Sequence, residues 1–180
     1  MKNFILGLII GFILIPLGLY VYFVSGMAPV ATAAQAMPFE RMLAHKALDA
    51  RVDKEAPKNS AMVPDESLYT GGAQIYIHNC AVCHGLPNQN PPTIARGEFP
   101  RPPQLWRGHG VTDDPPGETY WKVANGIRMT GMPSFRNELS DTQMWQVSLL
   151  LANADKVPES VKQALASPGA APPPAPNASK

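Results

Sequence analysis

The sequence predicts an all-α protein, a small domain of three to five helices set behind an N-terminal transmembrane helix. Three observations lead there. Residues 4–24 are almost wholly apolar. β-branched residues are sparse around the chain's two cysteines, with no convincing strand run on either side of Cys80. Helix start and stop signals recur in the second half of the chain, at Gly126 and at Ser140 with Gln143.

Composition narrows the function. The 180 residues hold 15 Lys+Arg against 14 Asp+Glu, a formal charge of +1. Nothing in that balance resembles the basic field of a nucleic-acid binder. Proline is abundant, with 20 residues concentrated in mid-chain loops and in the stretch "ASPGAAPPPAPNASK". Four regions follow: an anchor over 1–25, a linker with a helix over 26–67, the folded domain over 68–153, and a Pro/Ala-rich disordered tail over 154–180.

In the first region no charge falls between Lys2 and Glu40. A helix over residues 4–24 spans roughly 31 Å, close to a hydrocarbon core of about 30 Å. A cleaved signal peptide has a shorter apolar stretch of about 7–15 residues, and the A-x-A-like Ala34 to Ala36 lies well beyond this run. A retained anchor is the expectation. Lys2 and the terminal amine favour a cytoplasmic N-terminus, which puts everything after residue 25 on the far side. Pro16 is tolerable in a membrane helix. Gly7 and Gly11 form a G-x-x-x-G pair suited to a helix–helix contact, although glycine is common in such helices.

In the linker, Phe39, Met42, Leu43, Ala47, Ala50 and Val52 make one thin helical stripe ended by Pro57. Such a helix lies on its own domain or acts as a spacer, with His45 facing solvent. Further on, Gly72, Tyr76 and Cys80 recur every four residues and share a helix face. A middle helix over about Glu118 to Ala124 stops at Asn125 and Gly126. The last helix, "SDTQMWQVSLLLAN", has Ser140 as N-cap, Gln143 completing a capping box, and Trp145 with Leu149 as an apolar pair.

The chemistry concentrates in "NCAVCHGLPN", residues 79–88. Its cysteines, Cys80 and Cys83, are the only two in the chain, and His84 follows directly. A redox dithiol of the thioredoxin kind needs strands alternating with helices, which are missing here. A zinc site uses thiolates and imidazoles in fours. Beyond this motif only His45, His78 and His109 remain, none at finger spacing. Covalent haem explains the spacing: two thiols meet the two vinyl groups of one porphyrin, and the adjoining histidine lies under the iron.

A second axial donor is available in "NGIRMTGMPSF", residues 125–135. A methionine thioether is a soft donor whose pairing with histidine raises the reduction potential. Met132 stands between Gly131, which permits an unusual turn, and Pro133, which restricts the methionine. Met129 and His109 are the alternatives, and ordinary packing of both methionines is the bland reading.

With "CAVCHG" followed by "TGMPSF", and Met132 placed 48 positions after His84, the chain resembles a bacterial class I, single-haem c-type cytochrome. The similarity spans roughly residues 68–153, about half the chain. It implies a small cytochrome c fold around one covalently bound haem c, with Cys80 and Cys83 as thioether positions and His84 and Met132 as iron ligands. It also implies that the face of Gly72 and Tyr76 packs on the last helix, here Trp145 and Leu149. The porphyrin would then supply the apolar centre that a domain of about 85 residues otherwise lacks.

The family hydrogen-bonds its proximal imidazole to a proline carbonyl after the motif. Pro91, Pro92, Pro102 and Pro103 all qualify, with Pro92 ranked first. Arg96, Arg101, Arg107 and Trp106 are candidates for the propionates, Arg101 and Trp106 foremost. The resemblance implies one-electron transfer rather than catalysis: a carrier or haem subunit on the periplasmic side of a bacterial inner membrane, between redox protein partners whose identities the residues do not name. A haem-based gas sensor with a labile methionine is the alternative, but it would need an output module that the sequence does not display.

Overall fold

A computed structural model of the chain describes residues 2–60, 62–107 and 114–167. Among these, every regular element is helical. The chain divides after Arg41 into two compact units.

The first unit contains α1 (Lys2–Val24), a 23-residue helix with Pro16 inside it and no buried residue. By length and composition it is able to cross a membrane. A second helix, α2 (Glu40–Glu55), runs across the division. Most of its stripe is uncovered: Phe39, Met42 and Leu43 are exposed and only Val52 is buried.

The second unit is built from α3 (Glu66–Ile75), α4 (Ala81–His84), α5 (Thr93–Gly97), α6 (Pro116–Asn125), α7 (Asp141–Ala152) and α8 (Glu159–Ala166). A π-helical stretch, Tyr76–Cys80, joins α3 to α4. Asp65 starts α3, its carboxylate accepting the Leu68 N–H at 2.7 Å. The expected capping box starts α7: Ser140 Oγ accepts from the Gln143 N–H at 3.2 Å, and Gln143 Oε1 accepts from the Ser140 N–H at 2.9 Å. Gly126 ends α6 at φ +67, a conformation that side chains resist.

Helix α7 is the centre of the packing, with α3 and α6 against it and α8 against α3. Ile75, Tyr76, Val147, Leu150 and Leu165 form the fully buried middle. The crossing of α3 and α7 is close. A Cβ on Gly72 would stand 2.5 Å from the Gln146 carbonyl oxygen and 3.0 Å from Leu150 Cβ. The glycine therefore meets α7 at Gln146 and Leu150, and not at Trp145 and Leu149 as the pattern suggests. Those two pack with Leu68 in a separate cluster, where Tyr120 stacks on Trp145 with ring centroids 4.3 Å apart.

Two of the expected boundaries shift. The ordered core does not stop at 153, because Val157, Val161 and Leu165 are buried in it. Their spacing of four gives α8 one apolar face, and that face is covered only once α3 lies beside it. Residues 168–180, a little under half of the expected tail, lie outside the described residues. At the other end, the segment after α2 is held against α6. Trp121 Nε1 donates to Glu55 Oε2 at 3.2 Å. A Cβ on Gly117 would stand 1.7 Å from the Pro57 carbonyl oxygen.

Replacing Gly72 by valine should cost about 1–3 kcal/mol through overpacking against the α7 backbone. Ser140→Ala should cost about 1 kcal/mol through the lost cap. Chemical denaturation of the haem-loaded protein followed by far-UV circular dichroism measures both.

Candidate functional site

The motif cysteines sit where the helical winding changes. Across Tyr76–Cys80 the helix widens to π geometry, a feature that tends to occur at functional sites. Asn79 Nδ2 bonds back to the Ile75 carbonyl at 3.0 Å, one turn away. Gly85, at φ +73, ends α4, and its carbonyl accepts the buried Tyr76 hydroxyl at 2.6 Å. The side chain at the end of α3 thus ties down the residue that follows His84. Gln104 braces the same turn from the far side, its Nε2 donating to the Cys83 carbonyl at 3.2 Å.

Cys80 is buried and Cys83 half-buried, and neither is in a disulfide. Burial, with Cys83 close by, pushes the Cys80 thiol up to about 12. Burial and the Glu98 carboxylate push Cys83 upward too, its S–H facing Glu98 Oε1 at 3.6 Å. Both shifts favour the thiol over the thiolate. Among the described residues no group of three His, Cys, Asp or Glu side chains is arranged to hold a metal ion.

His84 Nδ1 lies 2.8 Å from the Pro103 carbonyl oxygen. A carbonyl only accepts, so this contact puts the proton on Nδ1 and leaves the Nε2 lone pair free. Burial lowers the His84 pKa, which also favours the neutral ring. The accepting proline is Pro103 and not Pro92, which caps the start of α5 instead. The choice is tertiary: the loop ending at Arg107 folds back over the motif and delivers Pro103 and Gln104 together.

The methionine loop hangs from the end of α6. Phe135 N–H bonds to the Val123 carbonyl at 3.0 Å, and Ser134 Oγ to the Ala124 carbonyl at 2.6 Å. Inside the loop, Ile127 N–H bonds to the Met132 carbonyl at 3.1 Å, and Thr130 Oγ1 accepts the Met132 N–H at 3.1 Å. Met132 is partly buried on the main core, the cluster that also takes in Cys80, Leu105 and Trp106. Met129 is 91% exposed at φ +60, pointing to solvent. His109 lies outside the described residues. His45 and His78 are exposed.

Trp106 packs edge-on to Tyr76, with centroids 5.4 Å apart, and its buried indole N–H has no acceptor. The neighbouring Tyr76 hydroxyl donates to Gly85 and keeps oxygen lone pairs beside the indole N–H, which favours the Tyr76 phenolate without closing a well-formed hydrogen bond. Arg101 is exposed on the loop before Pro102. Glu98, half-buried, links the two loops: its carboxylate faces Cys83 and comes within 2.7 Å of where a Cβ on Gly131 would stand. The residues fit a covalently held haem: two neutral thiols, an imidazole with one nitrogen fixed and the other free, a partly buried thioether, and an N–H awaiting an acceptor. Sequence reasoning did not single out Gln104, Glu98 or the hydroxyl of Tyr76, because their partners are remote backbone or loop atoms with no local signature.

Comparison with known proteins agrees with this chemistry. A family model described as cytochrome c oxidase, cbb3-type, subunit III matches residues 67–149. A curated relative, the cytochrome c subunit of the quinone alcohol dehydrogenase of Gluconobacter oxydans (strain 621H), is 34% identical over 84 residues. That match covers 42% of this chain and 16% of the relative's length.

Tyr76→Phe keeps the ring packing on Trp106 and removes the hydroxyl that bonds Gly85. It should destabilise the protein by about 1–3 kcal/mol, measured by urea denaturation, because a buried carbonyl loses its donor.

Proposed function

We propose that residues 67–149 are a single-haem c-type cytochrome domain and that the chain is a membrane-tethered electron-transfer protein. It serves as the haem subunit of a dehydrogenase or respiratory complex. Haem c, when bound, supplies a one-electron couple between ferric and ferrous iron.

The residues take distinct parts. Cys80 and Cys83 hold the porphyrin through thioether links. His84 offers Nε2 to the iron, with Nδ1 anchored on Pro103 so that the ring neither rotates nor changes tautomer. Met132 offers sulfur from a loop pinned at several points to α6, which leaves the thioether little freedom to drift. Trp106, through its indole N–H, and the exposed Arg101 would be available to hold a propionate. If His84 and Met132 both held the iron, no position would remain on it for a substrate, and this subunit would carry electrons for catalysis elsewhere.

α1 anchors the domain in the inner membrane with its N-terminus in the cytoplasm and the haem domain in the periplasm. Tethering raises the effective concentration of the domain near membrane-bound partners. The relative's place as a cytochrome c subunit of a quinone alcohol dehydrogenase supports a role inside such a complex.

The reading rests chiefly on His84, whose free nitrogen is the one a haem iron requires. The oxidised protein should show the weak far-red sulfur-to-iron band, and its ferrous form should ignore carbon monoxide. Rapid carbon monoxide binding by the unaltered protein would favour the gas-sensor alternative instead. Met132→Ala should keep haem attached, abolish the band, lower the reduction potential and open the iron to carbon monoxide. Cys80→Ala with Cys83→Ala should leave no haem stain on a denaturing gel.

A further inference from the structure

A phenol gives up an electron readily only when a base stands ready to take its proton. Of the chain's five tyrosines, one has such a base. Tyr20 and Tyr22 lie on α1, which holds no carboxylate. Tyr76 donates to the Gly85 carbonyl, which accepts a hydrogen bond but is too weak a base to keep the proton. Tyr69 is affected by burial alone. Tyr120 donates its hydroxyl to Asp141 Oδ1.

Two helices build this pair. Asp141 and Trp145 stand four apart on α7, so carboxylate and indole share a face, one turn from each other. Tyr120, on α6, spans that turn. Its ring stacks on Trp145, with centroids 4.3 Å apart and planes 21° from parallel, while its hydroxyl ends at Asp141. Trp145 is 8% exposed, whereas the bond from Tyr120 to Asp141 is open to solvent. A buried ring thus leads to an accessible proton acceptor. Tyr120 also packs against the main core, the cluster that takes in Cys80, Trp106 and Met132.

Burial, then the hydrogen bond to Asp141 and the charge of that carboxylate, push the Tyr120 phenol up to about 12, against the opposing charge of Arg136. These effects favour the phenol over the phenolate. Removing an electron reverses the preference, because an oxidised phenol is a strong acid. An ionised carboxylate only accepts, so the bond already lies along the path the proton would take.

We propose that Tyr120, Asp141 and Trp145 form a second one-electron site, which reduces strong oxidants of the peroxyl-radical class and so spares the site around Met132. One electron leaves the Tyr120 ring for the peroxyl radical, which becomes a peroxide anion and takes a proton from water. The phenolic O–H bond breaks and its proton bonds to Asp141 Oδ1, leaving a neutral tyrosyl radical beside a neutral carboxyl group. Stacking lets Tyr120 refill the buried indole when the electron is taken from Trp145 first. One electron from a reductant of the ascorbate class, with the proton returning from Asp141, restores the phenol.

The test uses the full-length haem-loaded protein, in its ferric form in lipid nanodiscs, with tris(bipyridine)ruthenium(II) and an irreversible cobalt(III) acceptor. A laser flash generates ruthenium(III), and electron paramagnetic resonance of samples frozen afterwards identifies the radical. The unaltered protein should give a neutral tyrosyl signal, formed more slowly in heavy water. Tyr120→Phe, which keeps the stack, should replace it with a tryptophanyl signal that disappears when Trp145→Phe is added. Asp141→Asn keeps an acceptor oxygen without the base and should slow tyrosyl formation about a hundredfold, and Asp141→Glu should restore it. Peroxyl radicals from a water-soluble azo initiator should bleach the haem absorption sooner in Tyr120→Phe than in the unaltered protein. A contact that only braced α6 on α7 would leave the rate of radical formation the same in the Asn, Glu and unaltered proteins, and that result would overturn the proposal. So would a tyrosyl signal that persists in Tyr120→Phe, or equal bleaching with and without the hydroxyl.

Discussion

The crossing of α3 over α7 at Gly72 governs much of the domain. Only a residue without a side chain lets the α7 backbone come so near, with the Gln146 carbonyl occupying the space a Cβ would need. That contact sets where the C-terminal end of α3 emerges, and every motif residue follows from there along one continuous helical path. It also buries Tyr76 completely, which puts its hydroxyl within reach of Gly85 on the far side of the motif. One backbone approach thereby positions Cys80, Cys83 and His84 as a group.

The site is assembled from three stretches of chain that are distant in sequence: the motif, the loop through Pro103 and Trp106, and the loop through Met132. None is long enough to be rigid alone. Each is held by backbone hydrogen bonds or by short polar side chains, and Cys80, Trp106 and Met132 share one apolar cluster. Such support leaves the sulfurs and the imidazole little room to wander, as a preorganised site requires.

The folded domain is also larger than its motifs suggest. α8 extends the core through Leu165, and the segment after α2 is held to α6 at Gly117 and Trp121. A small domain exposes a large share of its surface, so each added helix face matters more than it would in a larger protein. Charge follows a similar lesson. A total near zero says little about any one stretch of chain, because five of the seven arginines lie on two loops while several carboxylates stand at helix starts, where the helix dipole favours them.

What the sequence by itself determined was local. The capping box of Ser140 and Gln143, the stop at Gly126, the apolar length of α1 and the C-x-x-C-H motif all depend on residues within a few positions of one another, so their chemistry is legible without the fold. The contribution of folding was the choice among equals. Four prolines after the motif offer the same carbonyl, and only the return of the loop over His84 selects Pro103. Two methionines three positions apart offer the same sulfur, and hydrogen bonds to the end of α6 turn Met132 inward while Met129 faces water. The π-helical stretch, the Trp106 N–H without an acceptor, the reach of Glu98 to Gly131 and the covering of α8 are decided the same way. Each depends on atoms brought together from far along the chain, and spacing alone does not encode that distance.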